Sequence, residues 1–163
     1  MALRHSPQGH HLLAEAALAL VLATIAVRTL PFRRTARFAG LSEGATASEV
    51  TIEQLAGAER VGRAVRAVAS RTPWTSTCLM EAVAGAALLR RRRIPAEVHF
   101  GVAKDSARPD GLAAHAWLTC GGRVLTGDGP QRQRYATLGV YSVCGNAPAE
   151  QEPSSPESVD RMR

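Results

Sequence analysis

The chain has 163 residues, of which 45% are hydrophobic, and this size and composition fit one globular domain with its own core. Its formal net charge of +6 comes from arginine, since Lys104 is the only lysine. Arginine in place of lysine is typical of GC-rich coding sequence, so the charge does not by itself predict nucleic-acid binding. An excess of arginine still favours acidic partners or an anionic membrane surface.

The N-terminal segment, residues 9–30, is apolar and is followed by Pro31, which predicts a first helix. Its uninterrupted part, Leu12 to Val27, is shorter than the about 20 residues that span a membrane. The arginines that follow Pro31 are a poor context for signal-peptide cleavage. We expect this helix to pack in the core or against a partner. The alternatives are a membrane-surface helix and a signal or spanning segment.

A loop over residues 40–48 precedes a second predicted helix over residues 49–70. Thr46 or Ser48 is its predicted N-cap, and Glu49 lies in its first turn, where the helix dipole favours a negative charge. The candidate core positions follow helical spacing: Val50, Leu55, Val61, Val65 and Val68.

A third helix is predicted to begin near Cys78 and to run through the arginines at 90–93 until Pro95 ends it. The pattern then changes to that of three β-strands joined by a polar turn at 104–111 and a Gly-Gly hairpin turn: Ala96 to Val102, Leu112 to Thr119 and Arg123 to Thr126. Helices followed by an antiparallel meander predict an α+β fold in a single domain over residues 1–145. The Pro-, Ser- and Glu-rich residues 146–163 predict a disordered tail.

Three side chains along these elements have the chemistry of an activated nucleophile. Cys78 begins a helix, where the amide dipoles favour a thiolate and the first N–H groups can bind an oxyanion. His115 lies within a strand, and Asp128 follows the next strand, where a carboxylate can fix the second imidazole nitrogen. We therefore predict Cys78 as catalytic nucleophile, His115 as its base and Asp128 as the residue that orients His115.

Each of these residues also has an ordinary structural interpretation: a packed thiol, a packed histidine and a turn aspartate. The predicted substrate-binding residues are the neighbours of the nucleophile and the base: Trp74, Thr77 and Trp117. For the two tryptophans, core packing is the alternative. The arginines at 90–93 fit a solvated helix end, and a contact for an acidic peptide is the other interpretation.

The cysteines give no sign of a disulfide framework. Cys78, Cys120 and Cys144 are odd in number and have no paired spacing, which favours a reducing, cytoplasmic location. A zinc site made by these three residues and His115 lacks any C-x-x-C pair and is the minor alternative. We expect no metal and no other cofactor.

Several segments resemble one family in particular: Trp74 to Leu79, Leu88 to Ala96, Gly101-Val102, Ala114 to Trp117 and Gly121 to Val124. Over about residues 9–140 the chain resembles the B2 proteins of lasso peptide biosynthesis. This resemblance implies a transglutaminase-like, papain-type fold. It also implies a cysteine peptidase that removes the leader from a ribosomally made precursor peptide before an ATP-dependent cyclase closes the macrolactam ring.

The resemblance implies three partners: the precursor peptide, a separate leader-recognition B1 protein and the lasso cyclase. We expect no nucleic-acid partner, because the arginines are scattered along the sequence. In several members of this family the third catalytic residue lies one position earlier than Asp128, where this chain has Gly127, and a small bulge would absorb the shift. The functional alternatives are an acyltransferase that uses the same three residues, a non-catalytic scaffold for the precursor or the cyclase, and, least favoured, a DNA-binding protein.

Overall fold

The computed structural model describes residues 7–44, 49–129 and 132–143. The helices and strands in these ranges follow one another as α1 (Pro7–Thr29), α2 (Phe32–Ala39), β1 (Leu41–Glu43), α3 (Ile52–Ala69), α4 (Cys78–Arg91), β2 (Ala96–Lys104), β3 (Leu112–Cys120), β4 (Arg123–Thr126) and β5 (Ala136–Val143). This arrangement confirms the predicted α+β fold. Cys144 and the predicted tail lie outside the described residues.

A threonine caps the start of α3 and of α4. Thr51, and not the predicted Thr46 or Ser48, caps α3: its hydroxyl accepts from the Gln54 N–H, while the Gln54 side chain accepts from the Thr51 N–H. The predicted caps lie outside the described residues, and α3 begins three residues later than predicted. The helix α4 begins at Cys78, as its sequence indicates.

The segment after α1 folds into two elements that were not predicted. Pro31 follows the end of α1 and is the N-cap of α2. Its φ of −57° is compatible with the start of a helix. Gly40 ends α2 in the left-handed region with φ +70°. The strand β1 follows at once, where a loop was predicted.

The five strands form one antiparallel sheet in the order β1-β5-β2-β3-β4. Neighbours β2, β3 and β4 make the predicted meander. The strand β5, which was not predicted, returns to pair with the other edge of β2 and then carries β1.

The helices cover one face of the sheet, which we call the inner face. Gly85 of α4 lies so close to Leu118 of β3 that an added Cβ would sit 2.5 Å from its Cδ2. Because side chains alternate along a strand, Ala116 also points to this core. His115 and Trp117 therefore lie on the opposite, outer face of β3.

Candidate active site

Cys78 is the first residue of α4 and is partly buried against the core. The hydroxyl of Thr77 accepts a hydrogen bond from the Met80 N–H at 3.3 Å, which fixes the first turn of this helix. The remaining N–H groups of that turn, including the N–H of Cys78, are the positive end of the helix dipole. The thiol is therefore placed where a negative charge is stabilised.

His115 lies on β3 opposite Gly101 of β2. Its Nε2 is 2.8 Å from the carbonyl oxygen of Gly127. A carbonyl oxygen only accepts, so Nε2 carries the hydrogen and donates it. In the neutral ring this leaves Nδ1 without a proton, as the nitrogen that can act as a base.

An aromatic cluster on the outer face supports the imidazole. The ring centroid of Tyr135 lies 4.9 Å from that of His115, and the centroid of Trp117 lies 5.9 Å away. Trp117 is itself stacked on His99, at 5.4 Å and an interplanar angle of 2°. The imidazole therefore rests on side chains that are fixed by their own packing.

Trp117 has little surface left for a substrate. It is only 5% exposed, and the guanidinium of Arg132 lies 6.0 Å from its ring centroid. Gly101 makes room for the indole, because a Cβ on Gly101 would approach it to 3.0 Å. Trp117, one of the residues predicted to contact the substrate, packs against His115 in this structure.

The path of the chain places the start of α4 and His115 at the same end of the fold. The strand β2, which follows α4, starts beside the end of β3. From the contact between Gly85 and Leu118, Cys78 lies seven residues back along the helix and His115 three residues back along the strand. Both distances are about 10 Å. The nucleophile and the base predicted from sequence thus share one end of the helix–sheet layer.

Cys78 and His115 approach this end from different faces of the sheet. In the described part of the chain no hydrogen bond joins the thiol to the imidazole. The strand β4 ends at Thr126, the partner of Leu118, and Gly127 then lies against the backbone of Ala116 and Trp117. In unliganded enzymes a catalytic hydrogen bond is often long and tightens only when substrate is bound.

Asp128, the predicted orienting residue, does not contact His115. Its carboxylate side chain is 66% exposed and lies 3.8 Å from the Nε of Arg132. The backbone carbonyl of Gly127, one position earlier, takes the place predicted for that carboxylate. In the sequence, the sign of this change was Gly127 itself, a glycine where the resembled family usually has its third catalytic residue.

Two polar groups lie close before the nucleophile, one on Trp74, a predicted substrate-binding residue, and one on Ser76, which was assigned no role from the sequence. The indole Nε1 of Trp74 and the hydroxyl of Ser76 are buried and have no hydrogen-bond partner among the described residues. They precede Cys78 by four and two positions. Buried donors without a partner are costly unless water or a ligand satisfies them. Thr77 is occupied by its capping bond, so Trp74 is the better placed of these two predicted substrate contacts.

Glu81 lies one turn after Cys78 on α4, at the spacing that makes two helical side chains neighbours. Burial raises the pKa of its carboxyl, and the nearby guanidinium of Arg66 partly offsets that effect. Across the described ranges, no group of three or more His, Cys, Asp and Glu side chains is placed to hold a metal ion.

The model of a family described as the transglutaminase-like superfamily matches residues 18–140, three quarters of the chain. No curated protein and no solved structure matches the chain. The matched range includes Cys78, His115 and Asp128.

Proposed function

Because the chain belongs to the transglutaminase-like superfamily, which includes cysteine peptidases and acyltransferases, we propose that it is a cysteine peptidase. One observation carries the proposal: Gly127 holds Nε2 of His115, which leaves Nδ1 as a base at the end of the fold where Cys78 begins α4. A thiol at a helix start and an imidazole with a fixed tautomer are the two parts that this chemistry requires.

In the proposed reaction Nδ1 of His115 takes the proton of the Cys78 thiol, and the thiolate attacks the scissile carbonyl carbon. The N–H of Cys78 donates to the oxyanion that forms. The indole N–H of Trp74 is a second, unpaired donor on the same approach to the helix. The C–N bond then breaks, and His115 gives its proton to the leaving amine. Water, deprotonated by His115, finally hydrolyses the thioester and restores the thiol.

The substrate that we propose is the leader region of a lasso precursor peptide. Support comes from the segments that resemble B2 proteins, above all the approach to Cys78 and the Ala-His-Ala-Trp stretch of β3. Cleavage frees the amine that the ATP-dependent cyclase joins to a side-chain carboxylate. A separate leader-recognition B1 protein is proposed to deliver the precursor.

The test is cleavage of a synthetic precursor by the full chain together with its B1 partner, followed by mass spectrometry. We expect a leader with a free carboxylate and a core peptide with a free amine, and no products from Cys78→Ala. The matched control is Cys120→Ala, because Cys120 is 1% exposed and lies in the core. Cleavage by Cys78→Ala, or none by the wild-type complex that binds the precursor, contradicts the peptidase.

The same assay separates the peptidase from an acyltransferase. An acyltransferase resolves the thioester with an amine in place of water, so adding a primary amine gives a leader that carries an amide. We expect the free carboxylate to remain the main product in the presence of the amine. A leader converted mainly to the amide identifies the chain as an acyltransferase.

A further inference from the structure

One side of α1 leaves a stripe of large apolar side chains exposed. At about 100° per residue, these positions fall within roughly 100° of the helix circumference. They are Leu18, Val21, Leu22 and Ile25, which are 58%, 38%, 41% and 53% exposed. The opposite side of the helix is fully buried at Ala16, Leu20 and Ala23. The stripe is thus the free face of a helix whose other face belongs to the core.

The outward side of α2 adds a cluster of cations beside this stripe. Arg33, Arg34 and Arg37 are all exposed, while Thr35, Ala36 and Ala39 form the buried side. Among the described residues none of these three arginines forms an ion pair. Residues 16–42 contain four arginines and no aspartate or glutamate.

A groove of about 420 Å³ joins the stripe to the surrounding cations. Leu18, Leu22 and Phe38 supply its large apolar walls, and Arg90 and Arg91 stand at its rim. Glu15 also lines it, but its carboxylate is paired with Arg92. The surface therefore combines an apolar centre with a net positive border.

We propose that this face docks on an anionic phospholipid bilayer, with α1 lying in the plane of the interface. The apolar stripe enters the boundary between headgroups and acyl chains, and the arginines of α2 bind lipid phosphates. By length and composition alone, the whole segment Gly9–Thr29 could also cross a membrane. If α1 crossed the bilayer, it would lose its packing against α3 and α4. If α1 lies in the interface, it keeps those contacts.

Docking by this face leaves the candidate active site in water. Arg90 and Cys78 lie twelve residues apart on α4, which separates them by about 18 Å along the helix axis. The inference therefore stands apart from the proposed peptidase, and its variants do not alter the catalytic residues.

Flotation of the full chain with vesicles tests the proposal. Vesicles of phosphatidylcholine and phosphatidylglycerol at about three to one are compared with vesicles of phosphatidylcholine alone, at about 0.1 M salt. We expect at least tenfold stronger binding to the anionic vesicles. The combined variant Arg33→Gln/Arg34→Gln/Arg37→Gln should lose most of that binding, up to about a hundredfold, because each arginine near an anionic surface contributes about 1 kcal/mol.

The control removes three exposed arginines from elsewhere and so has the same net charge: Arg60→Gln/Arg71→Gln/Arg108→Gln. It should bind as the wild type does. Leu18→Gln should also weaken binding, whereas Leu138→Gln, at a 72% exposed residue of β5, should not. Absence of the wild type from anionic vesicles, or equal losses in both arginine variants, overturns the proposal. Binding that survives the α2 variant and about 1 M salt indicates a spanning helix and overturns it too.

Discussion

Gly127 positions His115 through its backbone carbonyl, and only glycine suits this position. Its φ is +73°, and an added Cβ would lie 2.4 Å from the carbonyl oxygen of Ala116. A side chain at position 127 would displace the Gly127 peptide group, whose carbonyl oxygen accepts the hydrogen bond from His115. The hydrogen bond to His115 therefore depends on glycine at position 127, although the main chain makes it.

Gly127→Ala should lower kcat/KM for precursor cleavage at least tenfold, because His115 loses the acceptor that fixes its tautomer. The control is Gly122→Ala, which has a similar φ of +76° but open space around its Cβ. Gly122→Ala should lose about 1–2 kcal/mol of stability from the left-handed backbone, and Gly127→Ala should lose more, because its Cβ also meets the Ala116 carbonyl oxygen. Only Gly127→Ala should lose activity, and equal activities would show that the carbonyl has no catalytic role.

Asp128→Asn should keep kcat/KM within about threefold of the wild type, because its exposed carboxylate faces Arg132 and not His115. In a triad whose aspartate orients the histidine, the same change costs about 10⁴-fold. Steady-state cleavage rates distinguish the two cases. A loss of kcat/KM of that size would show that Asp128, and not the Gly127 carbonyl, orients His115.

At the scale of elements, α4 carries an acid, Glu81, that is partly buried. Burial raises the pKa of Glu81, so the folded state favours the protonated carboxyl. The stabilisation from this group is full below its ordinary pKa of 4.5 and is lost as pH rises through the raised value. Charge on Glu81 therefore weakens the start of α4 at neutral pH.

Glu81→Gln should consequently raise the midpoint of thermal unfolding more at about pH 7 than at about pH 4.5. The exposed Glu53, in the first turn of α3, provides the control variant Glu53→Gln. If Glu81→Gln and Glu53→Gln show the same pH dependence, burial of Glu81 does not govern the stability of the helix start.

Elements with a strong local signal were predictable from the sequence, and elements fixed by distant contacts were not. The apolar periodicity and Pro95 gave α4, and alternation with Gly121-Gly122 gave the meander. The strands β1 and β5 were missed because they exist through pairing with each other and with β2. The short helix α2 was missed because Pro31 was interpreted as an end and not also as a start.

The candidate site, too, was predictable from the sequence only in part. Residue types predicted Cys78 at the helix start and His115 on its strand. The Gly127 carbonyl was indicated only indirectly, by a glycine at the family's usual third position, because main-chain geometry leaves no mark in a residue's side-chain chemistry. The burial of Trp117 depends on its stacking with His99 and on the absence of a side chain at Gly101.

At the scale of the whole molecule, we expect Cys78 and His115 to act as one unit. Iodoacetamide labelling of the full chain at about pH 6 to 9, read by peptide mass spectrometry, tests it directly. Cys120 is an internal reference, since burial raises the pKa of its thiol to about 11. We predict rapid labelling of Cys78 at about pH 6, where an ordinary thiol is almost wholly protonated, and at least tenfold slower labelling in His115→Ala. Equal rates in the two proteins, or a Cys78 as inert as Cys120, would contradict the account.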